Sequence, residues 1–246
     1  KRLRYILALQ RDHFLPLKVI KSKLTLWERG EDTATATEHG EVIALLPGTA
    51  GNPSSYNLTL ADSLVGAGQT MTRWGVNVET GITIDGSAES NGNLKIYGGK
   101  VADTLTGGDG DDWMWGGLGG DTMTGGLGAD IFNYTAAAQS TGINFDRLVG
   151  FDDDVDKIDL PFAVTGFAAP ASGSLSTASF DADLQNAFAG LGNNQAGMFT
   201  ATSGDMNGRT FLVVDADGVA GYQAGSDYVI EMVAPVTPID QLGMFI

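Results

Sequence analysis

The stretch GGKVADTLTGGDGDDWMWGGLGGDTMTGGLGADIFN, residues 98–133, decides the fold because it divides into four consecutive nonapeptides. These are GGKVADTLT, GGDGDDWMW, GGLGGDTMT and GGLGADIFN. Aspartate recurs at positions 103, 112, 121 and 130, and an apolar residue recurs at 105, 114, 123 and 132. A flexible glycine-rich linker has no reason to keep acidic and apolar residues in phase. The period therefore predicts a folded, repetitive structure.

The residue types within each repeat predict its local geometry. The three residues after each aspartate have one central apolar side chain, which is typical of a very short strand facing a core. The GGxGxD hexapeptide must then reverse the chain, and glycine supplies the φ > 0 conformations of a tight turn. Two strands and two turns complete one coil of two nonapeptides. We therefore expect Asp103 to lie beside Asp121, and Asp112 beside Asp130, about 4.8 Å apart by strand spacing.

Such stacking brings like charges together in a glycine-rich segment. Carboxylates at ~5 Å repel by about 3 kcal/mol at an effective dielectric of about 20. Each glycine also costs roughly 0.5–1 kcal/mol relative to alanine when it is ordered. A Ca²⁺ ion between stacked turns would relieve both problems, because it prefers carboxylate and main-chain carbonyl oxygens. We expect at least two calcium ions, and a segment that does not fold without them.

The predicted calcium ligands are the repeat aspartates and the carbonyl groups of the glycine turns. They are Asp103, Asp112, Asp121, Asp130, Gly108, Gly110, Gly117, Gly119, Gly126 and Gly128. The first repeat departs from the pattern, since Val101 replaces its third glycine and Ala102 follows. Either this turn is distorted, or its calcium is bound more weakly than the one shared by Asp112 and Asp130.

Composition limits the class of protein. With 246 residues and 43% hydrophobic residues, the chain can bury a core, and a net charge of −16 argues against nucleic acid as the main partner. The absence of cysteine excludes disulfides and thiolate sites. No apolar run approaches the ~18 residues of a membrane span. Residues 1–30 are basic, and we expect a helix, KRLRYILALQRDHF, followed by a strand, LKVIKSKLTLW. This segment either docks on the acidic body or is left from a preceding domain.

The repeats resemble those of the repeats-in-toxin (haemolysin-type) family of bacterial proteins. TGINFDRLVGFDDDVDKIDLPFAVTGF, residues 141–167, resembles the C-terminal domain of serralysin-type proteases. The matching positions are Asp146, Leu148, Phe151, Asp156, Ile158, Asp159 and Leu160. Residues 210–232 and the ending GMFI, 243–246, are similar to that family's last strands. The resemblance implies export through a type I (ABC) secretion machinery, with information in the C-terminal region, and folding on calcium outside the cell.

Two acidic segments outside the repeats have open or negative interpretations. DDDVD, 152–156, is either a solvated turn or part of a calcium site, because the resemblance places ligands at Asp146 and Asp156. DADGVAGYQAGSD, 215–227, fails as an EF-hand, since Val219, Ala220 and Ser226 occupy positions that need a ligand, glycine and glutamate. A hairpin turn with DG at its tip is favoured there.

The predicted fold class is all-β. It is a right-handed parallel β-roll (β-helix) with calcium in its GGxGxD turns, followed by a β-sandwich-like C-terminal cap with a short helix within 179–191. We divide the chain into an N-terminal segment of unclear role (1–60), the roll (61–134), and a serralysin-like cap and secretion region (135–246). Strands in NLTLADSL, QTMTRWGVNV and GITIDGS are expected to start the roll without metal, and we assign no metal to GSAESNGN, 86–93.

No catalytic residues are predicted, because His13 and His39 do not form HExxH and neither a GxSxG elbow nor a P-loop occurs. The leading hypothesis is a calcium-binding module of a secreted, extracellular or surface-associated bacterial protein. One alternative is the non-catalytic C-terminal part of a secreted serralysin-like metalloprotease or other hydrolase. Another is a surface-layer or adhesin protein that self-associates at the cell surface.

Overall fold

The computed structural model of the protein describes residues 42–44, 56–60, 70–74, 80–239 and 242–246. The roll strands are β1 (Val42–Ala44), β2 (Tyr56–Thr59), β3 (Thr70–Trp74), β4 (Ile82–Asp85), β5 (Asn93–Gly99), β6 (Thr104–Thr106), β7 (Trp113–Gly117), β8 (Thr122–Thr124), β9 (Ile131–Asn133), β10 (Asp146–Val149) and β11 (Lys157–Asp159). The later strands are β12 (Gly166–Phe167), β13 (Ala171–Ser174), β14 (Gln195–Ser203), β15 (Thr210–Val214) and β16 (Tyr228–Val233), with one helix, α1 (Phe180–Ala187). Short 3₁₀ turns lie at Ala137–Gln139, Gly142–Asn144 and Leu242–Met244.

Successive strands of the repeat segment alternate between two parallel sheets. One sheet has the order β1-β3-β5-β7-β9-β11, and the other runs β12-β14-β15-β16-β10-β8-β6-β4-β2. Thr104 pairs with Thr122, and Trp113 with Ile131, so each strand lies beside the strand two repeats later. The chain is therefore a parallel β-roll, and the coil of two nonapeptides is confirmed.

The core of the roll consists of the central residue of each short strand. Leu105, Met114, Met123 and Phe132 are at most 1% exposed, because alternate residues of a strand face opposite sides. Ile96 continues this series toward the N-terminus and is also fully buried. Each such side chain contributes about 1.5–3 kcal/mol by burial. The apolar period, rather than the glycine turns, supplies the hydrophobic stabilisation of the roll.

The described strands extend beyond the repeats in both directions. β3 and β4 lie within the upstream segments predicted as strands, β2 overlaps the first of them, and β4 and β6 pair directly. The sheets also include β1 and β2, on the N-terminal side of position 61, and β10 and β11, past position 134. The three-domain division stays a prediction. The predicted helix of residues 1–14, the strand of 17–27, His13 and His39 lie outside the described residues.

The cap is continuous with the roll. β16 pairs in parallel with β10 and antiparallel with β15, so the cap strands extend one sheet of the roll. Its residues alternate between two cores: Leu212 and Ile230 face the roll interior, whereas Phe211 and Val229 face a second cluster. Both faces of this sheet are buried, which explains the unbroken apolar run FLVV at 211–214. The predicted sandwich-like cap is thus joined to the roll through a shared sheet.

Helix α1 covers the outer face of the cap sheet. Leu184, Phe188 and Leu191 pack in the second core cluster, as their spacing predicts, whereas Ala187 is exposed at the helix end. The Ser179 hydroxyl donates a hydrogen bond to Asp183 Oδ2 at 2.7 Å, so the residue before α1 contacts the side chain of a residue in its first turn. Within the described residues, no helix has the length and apolar character to cross a membrane.

Candidate metal centre

The turns of the roll stack along two edges, and each edge carries one column of aspartates. We name the first the Asp103 column, which consists of Asp103, Asp121 and Asp146. The second, the Asp112 column, consists of Asp112, Asp130 and Asp156. All six side chains are at most 4% exposed, although each ends in an ionisable carboxyl group that normally lies at the surface. Burial of this kind is costly unless the charge is paired or bound to a cation.

Backbone hydrogen bonds fix the Asp103 column. The backbone N–H of Asp103 donates to Asp121 Oδ1 at 2.8 Å, and that of Asp121 donates to Asp146 Oδ1 at 2.8 Å. The N–H of Ile82 donates in the same way to Asp103 Oδ1. One oxygen of each carboxylate is therefore held against the previous coil. Asp121 Oδ2 is buried and has no hydrogen-bond partner.

The Asp112 column repeats this arrangement on the opposite edge. The N–H of Asp112 donates to Asp130 Oδ1 at 2.9 Å, and the N–H of Asp130 donates to Asp156 Oδ1 at 3.0 Å. Asp112 Oδ2 accepts from Gly108 N–H at 2.7 Å, whereas Asp130 Oδ2 is buried without a partner. The middle residue of this column thus presents an unsatisfied oxygen, as Asp121 does in the other.

Main-chain oxygens crowd around these carboxylates. A Cβ atom added at Gly107 would overlap both Asp112 Oδ2 and the carbonyl oxygen of Gly125, and one at Gly125 would overlap Asp130 Oδ2. An added Cβ at Gly117 would likewise overlap the carbonyl oxygen of Gly99. The turns therefore form cradles of oxygen atoms that a side chain would fill. Such oxygen-rich surroundings fit Ca²⁺, which takes six to eight oxygen ligands.

The electrostatics of the columns favour loss of charge in the absence of a cation. Burial raises the pKa of Asp103 and Asp112 to about 6, of Asp121 to about 7 and of Asp130 to about 8. Burial, followed by the charge of Asp121, also raises the pKa of Asp146 well above its usual range. Backbone N–H donors oppose these shifts without cancelling them. A divalent cation would reverse them, since it favours the charged carboxylate.

Comparison with known families identifies the repeat segment. Residues 97–132 match the family described as RTX calcium-binding nonapeptide repeat (4 copies). The segment is an RTX calcium-binding repeat block. RTX repeats of this kind bind Ca²⁺ and form a non-catalytic module. Comparison of the chain with curated proteins gives no match.

The structure brings the predicted RTX aspartates together as the coil geometry requires, and Asp146 and Asp156 continue the two columns. It differs from expectation at the glycines. Gly117, Gly119, Gly126 and Gly128 have φ between 103° and 122°, but Gly108 and Gly110 do not adopt positive φ. These two are required for close approach instead, because an added Cβ would overlap backbone oxygens of the preceding turn.

Sequence reasoning missed one buried acid next to the RTX block. Glu89, in the turn before β5, is fully buried, and its Oε1 accepts the backbone N–H of Gly92 at 3.0 Å. Its Oε2 has no hydrogen-bond partner, and its carbonyl oxygen accepts the N–H of Asp109 at 2.9 Å. Glu89 therefore extends the Asp112 column by one turn. GSAESNGN lacks aspartate in phase with the repeats, so the pattern that marks the column aspartates gives no signal here.

Proposed function

We propose that the Asp103 and Asp112 columns bind calcium ions between successive turns of the RTX block. The ligands are the six column aspartates with the carbonyl groups of the adjoining glycine turns. The observation that carries this proposal is the pair of fully buried, unpartnered carboxylate oxygens at Asp121 and Asp130. Bound calcium would supply the positive charge that balances these carboxylates. The protein groups orient the oxygens and exclude water from them.

We further propose that the chain belongs to a bacterial protein exported by type I secretion and folded by calcium outside the cell. A ligand that binds the folded state alone stabilises it by RT ln(1 + [L]/Kd), about 2.7 kcal/mol per site at a concentration of about 100 Kd. Several sites of this strength match the stability of a typical domain, ~5–15 kcal/mol. Low calcium inside the cell would leave the RTX block open, and higher calcium outside would close it.

A calcium titration of the full chain by far-ultraviolet circular dichroism tests this proposal. We expect a cooperative gain of β-structure on Ca²⁺ addition, binding of two or more ions per chain by calorimetry, and no equivalent response to Mg²⁺. The selectivity follows because Mg²⁺ demands a near-ideal octahedral site and gives up its water reluctantly. A chain fully folded in chelator, with unchanged spectrum on calcium addition, would contradict the folding switch.

Paired variants separate the column ligands from acidic residues in general. Asp121→Asn/Asp130→Asn keeps shape and hydrogen bonding but removes two buried charges. Asp205→Asn is the matched control, because Asp205 is exposed and accepts the N–H of Thr177 in a cap loop. We expect the double variant to need at least tenfold more calcium to fold and the control to match the parent. Equal calcium requirements in all three proteins would refute the ligand assignment.

A further inference from the structure

Three carboxylates converge in the cap, away from the RTX turns. Asp215 directly follows β15, and Asp227 directly precedes β16. The adjacent strand residues, Val214 and Tyr228, pair across the hairpin. Asp217 lies two residues beyond Asp215. One carboxylate oxygen from each of the three lies within 4.8 Å of the others. The hairpin therefore brings together acids that are separated along the chain.

These carboxylates are ordered by neutral donors. Asp227 accepts the backbone N–H groups of Ala216 at 2.8 Å and Gln223 at 2.6 Å. Asp215 Oδ1 accepts the N–H of Asn194 at 3.1 Å, and Asn194 holds a left-handed backbone with φ of 56°. The hydrogen bonds fix the positions of the carboxylates but provide no opposite charge. Arg147 and Arg209 pair with Glu231, which lies at the other end of the β15–β16 pairing.

Two buried side-chain oxygens in this region have no hydrogen-bond partner. Asp215 is fully buried, and its Oδ2 has no hydrogen-bond partner. The side-chain oxygen of Gln223, in the same loop, is also buried without a partner. Buried polar atoms are nearly always satisfied, so two orphan oxygens beside converging carboxylates need an explanation. Burial, with smaller contributions from the charges of Asp215 and Asp217, raises the pKa of Asp227 to about 6.

We propose that Asp215, Asp217 and Asp227 bind a Ca²⁺ ion that is separate from those of the RTX block. All candidate donors are oxygens, the set that Ca²⁺ prefers. Asp217 is exposed and gives the ion access from solvent, whereas Asp215 and Asp227 hold it from the buried side. The site is not an EF-hand, because strands rather than helices flank the connection and Ala220 stands where an EF-hand needs glycine. A bound ion would hold the connection 215–227 in place beside the Asn194 loop, whose backbone N–H contacts Asp215.

Native mass spectrometry of the full chain, which counts bound calcium ions, tests the proposal. We expect Asp215→Asn/Asp227→Asn to bind one ion fewer than the parent at saturating Ca²⁺. The RTX variant Asp121→Asn/Asp130→Asn should lose ions while retaining the cap ion. An unchanged ion count in a folded Asp215→Asn/Asp227→Asn protein overturns the cap site, whatever the result for the RTX block.

A milder substitution covers the case in which the buried double variant does not fold. Asp217→Asn changes an exposed side chain. We expect it to weaken calcium binding at the cap site about tenfold, as measured by calorimetry. Asp205→Asn is again the control, since it is an exposed acid that accepts one backbone N–H in another cap loop. Identical calcium isotherms for Asp217→Asn, Asp205→Asn and the parent would refute the site.

Discussion

The backbone N–H of Asp112 donates to the carboxylate of Asp130 at 2.9 Å, two repeats further along the chain. The same residue therefore serves as donor to the next coil through its backbone and as acceptor from the previous coil through its side chain. Asp103, Asp112, Asp121 and Asp130 each link three successive coils in this way, whereas Asp146 and Asp156 end the two columns. Loss of one member affects both its own turn and the turn that precedes it.

Replacement of Asp130 by asparagine should change stability in opposite directions with and without calcium. Asparagine keeps an acceptor oxygen for Asp112 but removes a buried charge whose pKa burial raises to about 8. In chelator at neutral pH, where the RTX block of the parent is open, we expect the variant to have more β-structure than the parent by far-ultraviolet circular dichroism. In excess Ca²⁺ we expect it to be less stable, because one ligand charge is lost. A shift of the same sign in both conditions would contradict the electrostatic account.

The calcium-free roll should lose stability as pH rises. The column aspartates have folded-state pKa values above the unfolded value, about 6 for Asp103 and Asp112 and about 7 to 8 for Asp121 and Asp130. The folded state therefore binds more protons than the unfolded state between about pH 4 and pH 8. The stability that these aspartates contribute is fully present below their unfolded-state pKa. It is lost as pH rises through their folded-state pKa values.

Thermal unfolding in chelator from pH 5.5 to 8.5 measures this dependence. We expect the calcium-free roll to be folded at pH 5.5, where the aspartates bind protons, and its melting temperature to fall as pH rises until no roll transition remains above neutral pH. Calcium affinity should rise over the same range as protons stop competing. A melting temperature that increases with pH in chelator would show that the columns are not buried in the calcium-free protein.

Gly126 tests the geometry of the turns. Its φ is 119°, and an added Cβ would overlap the carbonyl oxygen of Gly108 in the preceding turn. We expect Gly126→Ala to destabilise the calcium-bound protein by more than ~2 kcal/mol, since strain of this kind costs about 1–3 kcal/mol before any clash. Gly190→Ala is the control because nothing lies within 4 Å of its added Cβ. Denaturant unfolding with equal effects of both substitutions would contradict the stacked-turn geometry.

Met123 tests the hydrophobic core of the roll. Its side chain is fully buried, whereas Leu127, four residues later in the same repeat block, is 66% exposed. We expect Met123→Ala to cost about 2–5 kcal/mol in calcium-saturated protein, the usual range for a buried truncation. Leu127→Ala should stay within about 0.5 kcal/mol of the parent, as surface substitutions do. Comparable losses at both positions would mean that the strand faces are assigned incorrectly.

The repeat allowed the roll to be predicted because one period fixes both the strand face and the turn. Leu105 and Phe132 differ in shape, yet their shared phase places both in one core. The cap offers no such period. Nothing in the sequence indicates that β16 inserts beside β10, because pairing between distant segments depends on the packing of the whole sheet.

The sites outside the repeats show the same limit. Glu89 is a single acid in a turn of ordinary composition, and Asp215 lies in an acidic loop that fails the EF-hand pattern. Each is distinguished by burial and an unpartnered oxygen. Those properties arise from tertiary contacts that a one-dimensional pattern does not contain. Residues 215–227 connect the β15–β16 hairpin, as predicted. The predicted position of the DG pair is wrong, because Asp217 and Gly218 lie near the start of a long connection and not at a tight two-residue tip.

The pairing of β10 with β16 has a consequence for the order of assembly. Coils of the roll close over short chain segments and can form one after another, at low loop-closure entropy. The contact between Arg147 and Glu231 spans 84 residues and must wait for the C-terminal strand to arrive. Until then, β10 presents an open sheet edge, which is a template for pairing with another chain. β16 therefore covers the edge of the roll sheet at β10. We expect a chain truncated before Tyr228 to self-associate through the edge left uncovered.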